Sequence, residues 1–352
     1  MDKQRSNAFM LKLVGDLSTA LAGALLLVGD RTGLFKAMAG AGPLTPAALA
    51  ERAAVAERYA EEWLAVMAGA GYVEYDAEAG SFNLPDEHAL FLAEPDSEYY
   101  LCGLFQGLPA LSAAIPQLAD AFKSGGGVSF ADFGSELPRA LGAMNRAVYE
   151  ARLVKSWLPA MPEVVARLNA GGRAVDVGCG MGVVPLALAR GFPRAQVTGI
   201  DLDARSIDLA RARSVELGLG DRLAFHALPV EQLPTTPGWD LITTFDVVHD
   251  LPDPLGALIH LRGALAEGGT YLMVEPKVAD DLQDNLGNPF ARMFYGMSCL
   301  HCVPQSLSLR GPGLGACWGE KRARDLARHA GFGHFERLEI RSAGLAFYAL
   351  RA

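Results

Sequence analysis

The sequence has few cysteines, no excess of positive charge and no uninterrupted apolar run of membrane-spanning length. Its five cysteines, at positions 102, 179, 299, 302 and 317 of 352 residues, form no even, regularly spaced framework. We therefore expect reduced thiols rather than a disulfide scaffold. The net charge of −9 argues against nucleic acid as the default partner.

The amino-terminal residues, MDKQRSNAFMLKL, lack the long apolar core and the small-residue cleavage site of a signal peptide. The longest apolar run, residues 17–29, lies between Asp16 and Asp30 and falls short of the ~20 residues needed to cross a bilayer. These absences predict a cytoplasmic, soluble protein with no membrane partner. Residues 17–29 are then expected in a buried or interfacial helix, with a place between subunits as one of the alternatives.

The most informative feature present is the segment VDVGCGMG at residues 175–182. An apolar strand leads into an acid and then into three glycines at alternate positions, and glycine lets a ligand approach the backbone because it has no Cβ. A second strand ends about twenty residues later at Asp201, where a carboxylate can take the two hydroxyls of a ribose. Together these residues predict a nucleoside-binding crevice.

The glycine spacing and the acid before it indicate which nucleoside binds. A dinucleotide fingerprint is spaced G-x-G-x-x-G and faces a pyrophosphate, whereas this run is spaced G-x-G-x-G and carries Asp176, which would repel a pyrophosphate and suits a cation. S-adenosylmethionine carries an ammonium and a sulfonium group and has no phosphate. The run resembles motif I of the class I S-adenosylmethionine-dependent methyltransferases.

That resemblance implies a role for several side chains. It assigns the methionine end of S-adenosylmethionine to a set of four residues, Asp176, Gly178, Gly180 and Gly182. It assigns the ribose to Asp201, the adenine face to Leu202 and a backbone contact to Phe245. The family often has an acid for the adenine amino group after the third strand; residues 228–230 here read Leu-Pro-Val, so this contact is open between Glu231 and backbone carbonyls.

The rest of the chain predicts an α/β fold in two parts. Strands and helices alternate from residue 173, which predicts a parallel sheet covered on both faces, and a closing hairpin at 335–350 completes a seven-stranded Rossmann-like sheet. Before it, a helix that begins at Thr45-Pro46, a second helix and a hairpin around residues 76–80 predict a mostly helical winged-helix domain. The expected domains are 1–95 (winged helix, dimerisation), 96–165 (helical linker and substrate cap) and 166–352 (S-adenosylmethionine binding).

A winged helix can bind DNA, but the charges of this one do not favour that role. Four glutamates and two arginines lie between residues 45 and 70, and the hairpin carries three acids and no base. Because phosphate contacts need Lys or Arg, dimerisation or substrate capping is the better interpretation. The alternative from another class is a winged-helix regulator that senses S-adenosylmethionine, and a further one is a degenerate fold kept as a scaffold.

The whole chain resembles bacterial class I methyltransferases with an N-terminal winged-helix dimerisation domain, a plan shared with plant and polyketide-tailoring O-methyltransferases. The resemblance implies a homodimer and a small-molecule acceptor. His249, just past the fourth strand, aligns with the catalytic histidine of the plant-type enzymes, and Glu275 with the acid that orients it. The other interpretation is that His249 packs beside the cofactor or caps the next helix, with N-, S- or C-methylation driven mainly by proximity.

The segment at residues 295–302 resembles a lid-like part of the acceptor pocket in the bacterial subgroup. It makes Tyr295, Met297 and His301 candidate pocket residues, although an apolar stripe is equally typical of a core. The pattern of Cys299, His301 and Cys302 also raises zinc. A structural zinc site needs four ligands and no second cluster is present, so no metal is expected.

Overall fold

The structure is a computed structural model that describes residues 1–134 and 136–352. The chain forms two compact units, one of residues 1–108 with 143–148 and one of residues 109–142 with 149–352. The domain boundaries expected after residues 95 and 165 stay predictions.

The first unit contains the expected winged helix. Its two strands, β1 (Glu74–Asp76) and β2 (Ser81–Asn83), pair antiparallel, and Thr45 caps a helix by accepting a hydrogen bond from the Ala48 N–H at 3.3 Å. The rings of Phe35 and Trp63 meet edge to face in the core, 4.9 Å apart. The helices are Lys3–Thr32, Leu34–Met38, Pro46–Ala53, Glu57–Gly69 and Asp86–Leu92, followed by a 3₁₀ turn at Cys102–Phe105.

The first helix differs from expectation in length and in exposure. It runs from Lys3 to Thr32, and by length and composition it is the one helix among the described residues that could cross a membrane, a test that core helices of soluble proteins also pass. The apolar run at residues 17–29 lies within this longer helix. The buried residues of this helix all lie in its second half; they are Ala22, Gly23, Leu26, Leu27 and Gly29. Contacts within one chain therefore do not bury the helix on several sides, although the sequence had predicted this.

The second unit contains the expected seven-stranded sheet. The strands are β3 (Arg173–Val177), β4 (Gln196–Asp201), β5 (Leu223–Ala227), β6 (Trp239–Phe245), β7 (Leu265–Pro276), β8 (His334–Arg337) and β9 (Leu345–Arg351). Their order in the sheet is β5-β4-β3-β6-β7-β9-β8, and β9 alone runs opposite to the other six. The strand order changes direction at β3, between β4 and β6, and ligands of such sheets bind at the carboxyl ends of the strands there.

Helices cover both faces of this sheet and complete the unit. Tyr271 and Ile242 are fully buried in its core. The remaining helices of the chain are Leu108–Ala113, Ile115–Ser124, Glu136–Arg152, Pro162–Asn169, Val183–Gly191, Ala204–Glu216, Pro254–Ala264, Leu282–Asn285, Pro289–Met297, Val303–Ser308 and Gly319–His329. Short 3₁₀ turns occur at Phe130–Phe133, Leu158–Ala160, Val230–Gln232 and Val248–Asp250, and π turns at Leu153–Trp157 and Ser298–Cys302.

Candidate active site

The glycine turn after β3 is shaped by three residues with left-handed backbone. Gly178, Gly180 and Gly182 have φ angles of 71°, 50° and 80°. A Cβ on Gly178 would lie 2.5 Å from Val247, and one on Gly182 would lie 2.7 Å from Phe225. A Cβ on Gly180 would meet no atom of the described chain within 4 Å. The outer two glycines therefore serve internal packing, whereas Gly180 leaves an open approach to the backbone.

Asp201 connects the end of β4 to this turn. Its Oδ2 accepts a hydrogen bond from the Gly180 N–H at 2.8 Å, and its Oδ1 accepts one from the Asp203 N–H at 2.8 Å. Burial raises the pKa of the carboxyl group, and the backbone hydrogen bonds oppose that rise. Each carboxylate oxygen has two lone pairs, so both can still accept from a ligand. Leu202, the next residue, is 61 % exposed and offers an apolar surface beside them.

Asp176 lies at the penultimate position of β3 and is 2 % exposed. Its Oδ1 accepts a hydrogen bond from the Thr243 hydroxyl at 2.6 Å. Burial raises the pKa of Asp176 to about 8, and the hydrogen bond from Thr243 only partly offsets this. Burying an ionised carboxylate away from water costs free energy unless a cation lies beside it.

His249 and Glu275 lie together at the ends of neighbouring elements. The 3₁₀ turn Val248–Asp250 follows β6, and it places His249 Nδ1 in a hydrogen bond with Glu275 Oε2 near the end of β7. Glu275 also accepts from the Trp318 Nε1–H at 3.0 Å and from the Val248 N–H at 3.1 Å. Three donors thus hold this carboxylate, and it in turn fixes the orientation of the imidazole.

The other imidazole nitrogen of His249 faces a second acid. Nε2 lies 3.5 Å from Asp250 Oδ1, and the histidine is 2 % exposed. Burial lowers the pKa of His249, but the negative charges of Glu275 and Asp250 outweigh burial and hold the pKa well above 6.5. A hydrogen bond with the Cys302 thiol raises the pKa of His249 further. An imidazole whose Nδ1 is held by a carboxylate is suited to moving a proton at its other nitrogen.

Phe245 is the last residue of β6, and Asp246 follows it at the edge of the site. The Phe245 ring packs on Tyr149 and Trp157, at 4.9 and 6.2 Å between centroids. Asp246 has a φ of 56°, and its N–H donates to the carbonyl oxygen of Val274 at 2.9 Å. Burial and the charge of Glu275 raise the pKa of Asp246 to about 7. Sequence reasoning missed Asp246 and Asp250, although two acids flanking a candidate base in Phe245–Asp250 were a visible signal.

The candidate acceptor residues have different surroundings. Tyr295 is half-buried, and its hydroxyl accepts from Asn285 Nδ2 at 3.4 Å. Met297 packs against the apolar cluster that contains Phe133, and the His301 ring meets Phe133 at 5.3 Å. The structure therefore groups Met297 and His301 around Phe133, whereas Tyr295 contacts a different segment.

His301 connects this cluster to the proposed base. It is 4 % exposed, and its Nδ1 lies 3.8 Å from Cys302 Sγ. The ligand atoms of Cys302, His249 and Asp250 lie within 4.8 Å of one another, a spacing that metal ligands can have. Three such residues are one fewer than the four ligands of a structural zinc site.

At the adenine end, Glu231 is exposed on a 3₁₀ turn. It therefore does not provide a buried acid for the adenine amino group.

Two family models match the chain. Residues 20–94 match the Rv2258c-like winged HTH domain, and residues 168–331 match the Methyltransferase domain. Among curated relatives, the ubiquinone biosynthesis O-methyltransferase of Bordetella bronchiseptica is 38% identical over 104 residues, which cover 29% of this chain and 41% of that protein. The chain therefore spans about two fifths of the length of the relatives it matches.

Solved structures match the chain over nearly its whole length. PigF with SAH is 20% identical, with a TM-score of 0.68 and 100% of both chains covered. An O-methyltransferase family protein from Burkholderia thailandensis is 17% identical, with a TM-score of 0.69, 97% of this chain and 98% of that one covered. Likeness at this level of identity confirms the predicted fold, a methyltransferase sheet preceded by a winged helix.

Proposed function

We propose that this chain, in which a winged helix-turn-helix domain precedes a methyltransferase domain, is an S-adenosylmethionine-dependent methyltransferase that methylates an oxygen atom of a small-molecule acceptor. The observation that carries the proposal is the hydrogen bond between His249 and Glu275 at the strand ends beside the glycine turn. A binding crevice alone would not require a buried, oriented base.

The residues at the glycine turn fit S-adenosylmethionine. The open side of Gly180 admits a ligand to the backbone, and Asp201 beside it has lone pairs for two ribose hydroxyls. Exposed Leu202 offers a surface for adenine, and the dry carboxyl group of Asp176 would be compensated by a cationic ligand. When bound, S-adenosylmethionine supplies a methyl group attached to a sulfonium, which is a good leaving group.

The chain's own contribution is alignment and proton transfer. Holding reactants in line supplies much of the rate of such a displacement. His249 accepts the proton of the acceptor hydroxyl at Nε2, because Glu275 occupies Nδ1 and stabilises the imidazolium that forms. The raised pKa of His249 means that the proton-accepting form grows as pH rises, so kcat/KM climbs through a pKa above 6.5.

Replacing the base tests the proposal directly. His249→Ala should lower turnover by ~10²–10⁴, the usual contribution of a general base, while S-adenosylhomocysteine still binds with wild-type affinity. Turnover is measured as homocysteine release with a panel of phenolic and alcoholic acceptors, and binding is measured by calorimetry.

His329→Ala is the matched control, because His329 is exposed at the end of the helix Gly319–His329. This variant should retain wild-type turnover. Normal turnover in His249→Ala, or acceptors that react only at nitrogen, sulfur or carbon, would contradict oxygen methylation with His249 as base.

We also propose that the chain forms a homodimer through its winged-helix domain and resides in the cytoplasm. The first helix leaves large apolar side chains exposed within one chain, and the five cysteines form no disulfide among the described residues.

The regulator alternative would require salt-sensitive DNA binding at physiological ionic strength. The acids of the hairpin and its preceding helices do not favour it.

A further inference from the structure

Three side chains of the kinds that bind metal ions meet at the proposed base. His249 and Asp250 lie on the 3₁₀ turn after β6, and Cys302 lies on the π turn Ser298–Cys302. Their ligand atoms, one nitrogen, one oxygen and one sulfur, all lie within 4.8 Å of one another. The sequence predicts no metal, because it offers only cysteines and a histidine within one segment, whereas the fold joins one of those cysteines to a turn far away in the chain.

The distances in this cluster suit a small tetrahedral ion. Two nitrogen or oxygen ligands about 2.1 Å from such an ion lie about 3.4 Å from each other. His249 Nε2 and Asp250 Oδ1 lie 3.5 Å apart. The Cys302 thiol hydrogen-bonds with both groups, so its sulfur faces the imidazole and the carboxylate together. If the thiol proton is replaced by a cation, the same three side chains can hold that cation.

Two of the three ligands are already oriented by other side chains, as metal ligands usually are. Glu275 accepts a hydrogen bond from His249 Nδ1, which leaves the lone pair of Nε2 for the cluster. His301 Nδ1 lies 3.8 Å from Cys302 Sγ, within hydrogen-bonding range of a sulfur atom. Burial lowers the pKa of His301, so its ring is neutral and can donate one N–H to the sulfur. A carboxylate behind the imidazole and an N–H beside the sulfur therefore support both ligands.

The mixture of donor atoms selects the ion. Mg²⁺ and Ca²⁺ prefer oxygen ligands alone, whereas imidazole nitrogen, thiolate sulfur and carboxylate oxygen are the three ligand types of Zn²⁺. Three protein ligands are too few for a structural zinc site, but they are the usual number where the ion keeps one position open. The Asp250 side chain is 17 % exposed, against 3 % for that of His249, so an ion can enter from the carboxylate side.

We propose that His249, Asp250 and Cys302 form a zinc site, and that zinc bound there reversibly inhibits methyl transfer. On binding, the Cys302 thiol releases its proton to water, and the electron pair left on sulfur forms the Zn–S bond. The lone pair of His249 Nε2 forms the Zn–N bond and can no longer accept the proton of the acceptor hydroxyl. The inhibition rests on the proposed function, with His249 as the base, whereas the binding of zinc does not.

Cobalt binding tests the site without turnover. Co²⁺ accepts the same nitrogen, oxygen and sulfur ligands as Zn²⁺, and a bound thiolate gives it an intense charge-transfer band in the near ultraviolet. The wild-type protein, free of affinity tags and at pH 8, should bind one Co²⁺ per chain with this band, and zinc should displace the cobalt. Cys302→Ser, which nearly keeps the size of the side chain, should lose the band. Its zinc affinity, measured by calorimetry, should fall by at least the ~10–100-fold that losing a group behind a ligand costs.

Cys299→Ala is the matched control, because Cys299 lies on the same π turn but is exposed. This variant should keep both the band and the wild-type zinc affinity. Wild-type protein that binds no cobalt, or that binds cobalt without the thiolate band, overturns the site and requires no variant that folds. A band that persists in Cys302→Ser overturns it too.

Turnover measures the inhibition. Zinc should lower methyl transfer by the wild type and by Cys299→Ala, a chelator should reverse the effect, and excess acceptor should relieve it because zinc and acceptor compete for the same nitrogen. Zinc should inhibit Cys302→Ser at least tenfold more weakly, relative to that variant's own turnover without zinc. Equal inhibition of Cys302→Ser and wild type, or wild-type turnover that a chelator abolishes, overturns the inference.

The two proposals fail in different ways. If His249→Ala is inactive and the wild type binds no cobalt, oxygen methylation with His249 as base stands and the zinc site is wrong. If cobalt binds through Cys302 while no acceptor is methylated, the zinc site stands and the proposed function is wrong.

Discussion

Asp176 is a carboxyl group that the fold buries before any ligand arrives. The sequence predicts its place before the first glycine, and the family resemblance implies a role toward the methionine end of the cofactor. What the sequence could not show is the extent of burial, which depends on β4 and β6 packing on either side of β3. Burial raises the pKa of Asp176 to about 8, from an ordinary 3.8.

This raised pKa predicts a pH-dependent stability. Between pH 3.8 and about 8 the folded chain binds more protons at Asp176 than the unfolded chain does, so the free energy of unfolding falls as pH rises through that window. Asp176→Asn should remove this dependence and raise stability at pH 8 by on the order of a few kcal/mol. It should also weaken S-adenosylmethionine binding, since the amide carries no negative charge. Urea unfolding at pH 5 and pH 8 measures the first effect.

Asp325, whose side chain is half-exposed, provides the comparison for that measurement. Asp325→Asn, on the helix Gly319–His329, should keep the wild-type difference between the two pH values. An Asp176→Asn variant with the same difference would show that this carboxyl group is not the one that loses stability.

Side-chain pairs were partly predictable and partly not. Aligning His249 and Glu275 at the ends of neighbouring strands anticipated residues that the structure brings together, because carboxyl ends of parallel strands meet at one edge. The place of Asp246 before the candidate base was a visible signal. Its left-handed backbone and its Oδ1 atom, which has no hydrogen-bond partner among the described residues, could not be predicted from the residue type.

At the scale of elements, the three glycines of the turn after β3 have different structural roles although the residue type is the same. The sequence predicts three glycines with one common purpose, ligand approach. The structure separates them, because Gly178 and Gly182 face Val247 and Phe225, whereas Gly180 faces open space. Strand β7 also departs from its sequence pattern, since it begins at Leu265, ahead of two glycines. Its first part includes Gly268 and Gly269, and the register with β6 shifts there, between Trp239 opposite Leu265 and Leu241 opposite Thr270.

Alanine at two of these glycines should separate stability from binding. Gly178→Ala adds backbone strain at a φ of 71° and a clash with Val247, so unfolding should become easier by about 2–5 kcal/mol. Gly180→Ala adds only the strain, about 1–2 kcal/mol, but projects a methyl group into the open approach and should weaken S-adenosylhomocysteine binding at least tenfold. Urea unfolding and calorimetry on both variants check this. Equal binding by Gly180→Ala and wild type would mean that the ligand does not approach there.

At the scale of the whole molecule, the first helix carries a pattern that one chain does not use. Exposed apolar residues follow each other at alternating spacings of four and three, the period of helices that pack side by side. They are Met10, Val14, Leu17, Leu21, Ala24 and Val28. The sequence predicted an apolar helix buried on several sides, but only contacts with another molecule could bury this stripe. A second copy of the chain is the occupant that we propose.

A charge in the middle of the stripe tests that proposal. Leu17 is 62 % exposed in one chain, so Leu17→Glu should barely affect the fold, yet in a two-fold interface it would bury the charge twice and should weaken the dimer at least tenfold. Sedimentation velocity across a dilution series measures the change. Val215→Glu, at a residue 75 % exposed on the helix Ala204–Glu216, is the control and should leave the dimer intact. A wild-type monomer that floats with phosphatidylcholine vesicles would instead make the stripe a membrane-binding surface, because the helix is also long and apolar enough for a bilayer.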